Sequence, residues 1–530
     1  MPISSEKHSI LILPDQLSEH HAAIASARKG RDRLLFVESR QSFGKLPYHR
    51  HRLMLLLSAM RHFAAEREAE GWEVEYHRLE NTADMRSVLE VHCRDQKPAS
   101  LLVAQPNNYD EQLALKILEA KLPVPLTIIP TTQFLCSRED FLEMAGVKKR
   151  LLMETFYREM RRRTGLLMEA DDASKPLGGQ WNYDQENRAT FADWKKAGMP
   201  RPKKSHPLPQ DEITQEVARE LATIYPDAPG KAADFSLPVT RVDSLTALRE
   251  FIESRLPEFG TWQDLMVSED GDLFHSILSP MLNIGLLEPM ECVLAAEKAF
   301  KEGKAPLHAV EGFIRQVIGW REFVNGVYWL KMPEYASVNG LNATRSLPEF
   351  FYSGETSMNC LSTALRETLD RGFNHHIQRL MVLGNFLLMA GVNPQEALRW
   401  FNEMYVDAHD WVMAANVLGM ALHADGGFMA TKPYAASGAY INKMSNYCST
   451  CSFSPSIKSG KGACPLNLLY WNFFHTNQEL LIRNPRTAMP VRSWQKRDAK
   501  ERLKIVAEAE SFLKSLNKDP KRTLTLNTPG

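Results

Sequence analysis

Cys448 and Cys451 are separated by two residues, and after twelve more comes Cys464, followed at once by Pro465. Thiolates this close in sequence can converge on one soft metal centre from a single loop. A fourth ligand has to come from elsewhere in the chain. Cys360, beside the helix start in MNCLSTALRE, is the free candidate, whereas Cys292 precedes the apolar face of VLAAEKAF and reads as core. Four thiolates suit tetrahedral zinc and a 4Fe-4S cluster alike. The missing second C-x-x-C pair leans against a zinc ribbon, and the bulky neighbours Tyr447, Phe453 and Trp471 lean toward a shielded cluster; spacing alone leaves both open.

Other residues offer acid–base or anion-binding chemistry. His375-His376 in RGFNHHIQRLM open a predicted helix, where burial or the helix N-terminus favours neutral imidazole, although paired histidines also serve simply as packing residues. Ser276 and Ser279 in HSILSPMLNIG set hydroxyls and backbone N–H groups at a helix entry, an arrangement that either meets an anion or caps the helix. Glu311 and Arg315 fall on one helix face, as an ion pair would. Asp15, Gln16 and Glu38 stand at the carboxyl ends of the first two predicted strands, where open α/β sheets place ligands and where loop caps also occur. The runs Lys148-Lys149-Arg150 and Arg161-Arg162-Arg163 offer phosphate contacts, and Lys148 to Arg163 is expected as a contributing face.

These residues need a scaffold to position them. A chain of 530 residues exceeds one ordinary core, and 44% hydrophobic with 24% charged residues fits a globular protein of more than one domain. HSILILPDQL, DRLLFVESR, WEVEYHRLE, SLLVAQP and LTIIPTT read as strands, with a strong helix from Arg52 to Gly71, which is the βαβ alternation of a parallel sheet. Between about 170 and 240, proline, glycine and polar residues are expected to prevent long regular elements. Beyond Asp243 apolar residues recur at three and four, and the stretch from Pro394 to His423 reads as continuously helical. The expected organisation is an α/β domain over 1–135, a helical and irregular connector over 136–240 and an all-α domain over 241–530. Lys plus Arg and Asp plus Glu both total 64, so any nucleic-acid site is a local patch. Seven cysteines are too few for a disulfide scaffold. The short apolar run ahead of Pro14 lacks a signal peptide's h-region, and no stretch is long enough to span a membrane, so a cytoplasmic protein is expected.

YINKMSNYCSTCSFSPSIKSGKGACPLNLLYWNFF, HSILSPMLNIGLLEP and FIRQVIGWREFVNGVYW occur in an order that resembles the bacterial iron–sulfur photolyase and cryptochrome family, the prokaryotic (6-4) photolyases. The likeness runs from LILPDQL to near residue 495. It implies an α/β antenna domain, an all-α FAD-binding domain, a 4Fe-4S cluster on Cys360, Cys448, Cys451 and Cys464, and UV-damaged DNA as the partner of a monomer. It places Ser276, Ser279, Asn283, Arg315, Trp320 and Arg321 near FAD, and Asp407 and Asn416 at the flavin ring. Asp15, Gln16 and Glu38 would flank a 6,7-dimethyl-8-ribityllumazine antenna, with Glu38 at its pyrimidine-like edge. His376 becomes the expected proton donor with His375 in support, Tyr434 and Tyr440 line the lesion pocket, and Trp400 is the first electron donor in photoreduction. Three positions depart from the family's pattern: Met413 where an acidic residue is common, Phe401 for Tyr and Tyr352 for Trp. The implied activity is light-dependent repair of (6-4) photoproducts. A cryptochrome-like photoreceptor and a flavin-free zinc DNA-binding module are the alternatives.

Overall fold

The computed structural model describes residues 7–146, 151–203 and 207–516. The five expected strands form as β1 (Ser9–Ile12), β2 (Arg33–Val37), β3 (Glu73–His77), β4 (Leu101–Ala104) and β5 (Leu126–Ile129). All pair in parallel, in the order β3-β2-β1-β4-β5. The chain builds outward from β1 to β3, then returns to add β4 and β5 on the other side. That reversal opens a crevice beyond the carboxyl ends of β1 and β4. Ile10, Ile12, Leu34 and Phe36 face the main core with the helix Arg50–Ala69. Leu11, Leu13, Leu35 and Val37 face Leu89 and Cys93 of Met85–Gln96 and Leu115 and Leu118 of Tyr109–Glu119. Both faces of the sheet are covered, which is why the strands read as nearly unbroken apolar runs.

The connector is more regular than expected. Glu212–Ile224 forms a 13-residue helix that buries Val217 and Leu221 and packs along Arg50–Ala69. The Asp211 carboxylate caps it by accepting from the Thr214 N–H at 2.8 Å. Proline and glycine lie in the flanks, in PLPQ and DAPG, and the segment between keeps a helical repeat. They punctuate the connector without preventing a helix.

The helical half departs from plain α periodicity where chemistry was expected. Pro394–Met404 stops at Tyr405, and the chain makes a turn at Val406 and Asp407 before Asp410–Met413 leads into a π-helical segment, Ala414–Ala421. The break, which the expected continuous helix lacked, is held from outside: the Val406 N–H donates to the Gly372 carbonyl at 2.9 Å. Two more π segments, Arg315–Arg321 and Gln378–Gly384, interrupt other helices. Such widened turns are rare and concentrate at functional sites. Gln378–Gly384 and Ala414–Ala421 meet at Gly384, where a Cβ would lie 3.0 Å from the Ala421 Cβ. Among the described residues no helix is long and apolar enough to cross a membrane.

Candidate functional site

Three separate elements bring the cysteines together. Cys360 lies in the first turn of Asn359–Arg371, Cys448 in the short turn Tyr447–Thr450, and Cys464 at the entry to Pro465–Thr476. With Cys451 they line one cavity, closed by Met358, Ile441, Phe453 and Leu466. The Asn359 side-chain amide donates to the Tyr447 carbonyl at 2.8 Å and ties the first element to the second. Burial and the neighbouring cysteines push the Cys360 and Cys448 thiols up. A Cβ at Gly438 would sit 2.8 Å from the Cys464 Sγ, so the wall accepts no side chain there. The thiols surround a space: among the described residues no group of three or more His, Cys, Asp or Glu side chains is set to hold a single metal ion. Cys292 is buried in the main core, as expected.

A second constellation joins two helical elements and the two loops beside them. Ser279 and Asn283 lie on the helix Ser279–Ile284, which Pro280 starts well because its missing N–H has no intrahelical use there. The Ser279 hydroxyl donates to Asp407 at 2.6 Å, and the Asn283 amide donates to the Asp407 carbonyl at 2.9 Å. Arg379 completes the group with a two-pronged ion pair to Asp407 at 2.9 and 3.2 Å. Its Nε donates to the Asn374 carbonyl at 2.7 Å, and its guanidinium lies 4.1 Å over the Tyr405 ring. Ser276 stays outside this network, its hydroxyl accepting from the Leu278 N–H at 3.4 Å. Neither Arg379 nor Tyr405 was singled out from sequence. Arg379 was legible as the residue one helical turn beyond His375 and His376, but its partner Asp407 is brought to it by the break after Met404.

The histidines adjoin Arg379, whose N–H donates to the His375 carbonyl at 3.3 Å. His375 is buried, and its ring stacks on His275 with centroids 4.2 Å apart and planes 10° from parallel. His376 is solvent-accessible yet surrounded by protein, as in a recess; burial, then Arg379, lowers its pKa to about 4. His375 is lowered further, by burial and then His275, so both rings are neutral at pH 7. Tyr434 and Tyr440 are half-buried. Burial raises both hydroxyls, with the arginines Arg486, Arg315 and Arg188 facing Tyr434, and Asp264 and Arg188 facing Tyr440. Trp400 is fully buried and donates from its indole to the Phe351 carbonyl at 3.1 Å. Its ring centroid lies 5.9 Å from that of Tyr405, which links it toward Arg379. Phe401 stacks on Tyr405 at 5.3 Å and is core, and the Tyr352 hydroxyl donates to Glu403 at 3.1 Å.

The remaining expected flavin residues divide between two surroundings. Arg315 pairs with Asp184 and faces Tyr434. Arg321 pairs with Glu322 at 2.7 Å, lies 4.4 Å over the Phe134 ring and faces His409. Trp320 is half-buried and edge-on to Phe323 at 6.3 Å. The Asn416 amide donates to Val412 at 2.8 Å within its own helix, and Met413 is buried beside it. Glu311 is no surface ion pair: it is fully buried, accepting from the Tyr157 hydroxyl at 2.8 Å and the Tyr183 N–H at 3.0 Å, and burial raises its pKa to about 7. Several buried donors have no hydrogen-bond partner, among them Arg315 Nε, Arg321 Nε and the Trp411 indole. Spare donors of this kind suit an acceptor-rich ligand such as a dinucleotide.

At the sheet's carboxyl edge, Gln16 donates to the Gln105 carbonyl at 3.0 Å, and Asp15 accepts from Asn107 at 3.0 Å, which places both at the β1–β4 crevice. The other Asp15 oxygen is buried without a partner, and burial raises the pKa to about 6. Glu38 differs from its expected role as a ligand contact. It is fully buried, and its oxygens accept from Arg61 twice at 2.8 Å, from the Tyr76 hydroxyl at 2.6 Å and from the Leu79 N–H at 2.8 Å, which fills the carboxylate. The expected phosphate face also needs correction. Arg161 is fully buried and donates to the carbonyls of Leu166, Leu167 and Trp181, so it fastens the chain after Met153–Thr164. Arg162 and Arg163 are exposed and pair with Glu159, and Lys148-Lys149-Arg150 lie outside the described residues.

Known proteins share this architecture. Residues 10–237 match the family model described as deoxyribodipyrimidine photo-lyase-related protein. The fold aligns with a crystal structure of a bacterial class III photolyase from Agrobacterium tumefaciens at a TM-score of 0.57 and 14% identity, covering 97% of this chain and 99% of that one. An α/β domain joined to a helical half with these features is therefore a photolyase fold. Over 512 residues the chain is 42% identical to a (6-4) photolyase of Agrobacterium fabrum, spanning 96% of this chain and 99% of the relative. A 99-residue stretch, 19% of this chain, is 37% identical to an uncharacterized protein of Acanthamoeba polyphaga mimivirus and spans 73% of it. The chain belongs to the bacterial (6-4) photolyase family. That membership carries a flavin cofactor with it.

Proposed function

We propose that this chain repairs (6-4) photoproducts in DNA with light, using FAD, a 6,7-dimethyl-8-ribityllumazine antenna at the β1–β4 crevice and a 4Fe-4S cluster held by Cys360, Cys448, Cys451 and Cys464. The observation that carries the reading is the meeting of His375 and His376 with the Arg379–Asp407–Ser279–Asn283 group, in which Arg379 lies on a π-widened helix. A bound reduced flavin supplies, on excitation, the electron that the lesion accepts. The chain's own residues orient and protonate. Ser279, Asn283 and Arg379 fix Asp407, and Arg379 in turn fixes the turn at Asn374 that presents the histidines. His376 is neutral in the free protein, and phosphate charge brought by DNA favours its protonated form. It then holds the proton that must reach the transferred oxygen or amino group of the lesion. Arg188 and Arg486, on the positive side of Tyr434, are better placed for phosphate than the buried Arg161. Four thiols spread around a cavity suit a polynuclear centre better than one zinc ion.

Duplexes carrying a single (6-4) adduct or a cyclobutane dimer, incubated with prereduced protein in blue light and in darkness, test the reading. Light-dependent loss of the (6-4) adduct is expected. Flavin-loaded protein that photoreduces but repairs neither lesion would favour a photoreceptor. Iron and acid-labile sulfide in the purified protein test the cluster, and Cys451→Ala should fail to give soluble, flavin-loaded protein.

A further inference from the structure

Acids and bases balance over the whole chain, yet Arg483, Arg486, Arg492, Lys496 and Arg497 follow one another with no acid between positions 483 and 497. The first carboxylate after them is already occupied. Asp498 caps the helix Ala499–Ser515 by accepting from the Lys500 and Glu501 N–H groups at 2.9 and 3.1 Å. Arg497 pairs with Glu501 and lies 4.1 Å over the Trp471 ring. Arg483, Arg486, Arg492 and Lys496 are exposed, and among the described residues none of them has an acidic partner.

Other helices of this molecule set a carboxylate one turn from a cation, as in Arg158 with Glu154, Arg163 with Glu159 and Lys301 with Glu297. On the helix Ala488–Gln495 the residue one turn after Arg492 is Lys496, a like charge whose repulsion the fold gains nothing by keeping. The inner face of that helix is firmly seated. Ala488, Val491 and Trp494 are buried, Trp494 stacks on Trp471 with centroids 6.0 Å apart, and its indole donates to His475 at 3.3 Å. Arg492 and Lys496 are thereby held toward solvent. Just before the helix, Asn484 donates to the Thr431 carbonyl at 2.8 Å and Arg486 donates to the Thr431 hydroxyl. These bonds fasten the start of the basic stretch to the segment that bears exposed Lys432 and then Tyr434, which Arg486 faces.

We propose that Lys432, Arg486, Arg492 and Lys496 form a phosphate track for one strand of duplex DNA, leading away from the pocket wall at Tyr434. The inference rests on the repair reading above and extends it from the damaged nucleotides to their undamaged flank. No protein carboxylate has to be displaced from these cations, so an arriving phosphate releases only counterions. The helix Ala488–Gln495 rises about 12 Å, the reach of about three to four phosphate steps at about 3.4 Å each along one strand. Contacts of this kind carry no base information and hold any sequence beside the lesion. The Arg162-Arg163 run offers no equivalent, because Glu159 already neutralises it.

The test is the salt dependence of binding, measured by fluorescence anisotropy in darkness on the full chain, with a duplex carrying one (6-4) adduct and the same duplex undamaged. In the double variant Arg492→Gln with Lys496→Gln, the slope of log K against log salt should become shallower by about 2 on both duplexes, because each lost phosphate contact removes about 0.9. Arg162→Gln with Arg163→Gln removes the same charge from a neutralised surface and should leave both slopes as they are. An unchanged slope in the first variant overturns the track, and so does an equal fall in both variants, which net charge alone would produce. Loss of polyglutamate binding with the DNA slope intact assigns the face to an acidic protein and overturns it as well. On a duplex cut flush with the lesion on one side, the first variant and wild type should converge, while on one cut at the other side they should still differ. A difference that survives both cuts places the contact off the flank and overturns the track. If the slopes respond as expected and the wild type repairs no adduct in light, the track stands and the repair reading falls. Repair with slopes untouched by the substitutions gives the reverse.

Discussion

Glu38 and Asp15 stand at the carboxyl ends of neighbouring strands, and their surroundings are opposite. Glu38 has a partner for every lone pair, and its guanidinium partner Arg61 is held charged: burial works against that charge, while Glu38 and Glu220 overrule it. Asp15 keeps one oxygen unpartnered, and burial raises its pKa to about 6. Beside it Glu111, half-buried and facing Asp15 and Asp410, is raised to about 8, mainly by burial. The contrast repeats beyond the sheet: Arg161 of the connector is saturated by three carbonyls, whereas His275 and His375 of the helical half keep bare ring nitrogens. Saturated charge fastens the fold. Unsaturated polar groups cost stability, so their presence marks places where a ligand or a proton is expected.

Substitutions can break that division. The largest expected effect is next to an unsaturated place, the unpartnered His375 ring: His376→Ala should lower (6-4) repair by about 10²–10⁴-fold while flavin content and thermal midpoint stay unchanged. A fall in midpoint with repair intact would mean that His376 serves the fold. Arg61→Met is the mirror experiment. It leaves Glu38 buried without its cation and should cost about 3–5 kcal/mol in denaturant unfolding, with repair per folded molecule unaltered.

Trp400 tests whether a saturated residue can also act. Trp400→Phe leaves the Phe351 carbonyl without its donor, a loss of about 1–3 kcal/mol. It should also slow flavin photoreduction and spare repair by chemically reduced protein. Equal loss of both would make the indole purely structural. The smallest effect depends on pH. Because the folded pKa of Glu111 is raised to about 8, its protonated form supports the fold below its unfolded pKa, and that support is lost as pH rises through 8. Glu111→Gln should therefore raise the thermal midpoint at pH 8 and leave it nearly unchanged at pH 4.5. A uniform shift at both values would show that titration is not the cause.

The parallel sheet was legible because both its faces are buried, so Ile10 to Leu13 and Leu34 to Val37 appear as uninterrupted apolar runs. The four cysteines were legible as a set because three share one loop, although only folding brings the helix of Cys360 beside them. The His375-His376 pair stood out by residue type. Its stacking partner did not, since His275 lies a hundred residues earlier and nothing local links the two. Arg379 carried a helical spacing to the histidines, but its meaning depends on Asp407 beyond a helix break that a Val406–Gly372 backbone bond enforces. The π turns were hidden because one extra residue per turn leaves an apolar run such as VLGNFLLMAG looking like any buried helix. Glu38 and Arg161 misled for a shared reason: residue type and strand-end position reveal that a charge is present, and only packing reveals whether it is already spoken for.

At Gly384 the bare backbone of one π-helical segment rests against the methyl group of Ala421 in another. The segment following the histidines and the one bearing Asn416 are thereby indexed to each other with no rotamer freedom between them. A bulkier residue at either point would act as a wedge and push the two segments apart as units, since neither side has a flexible side chain to absorb the added volume.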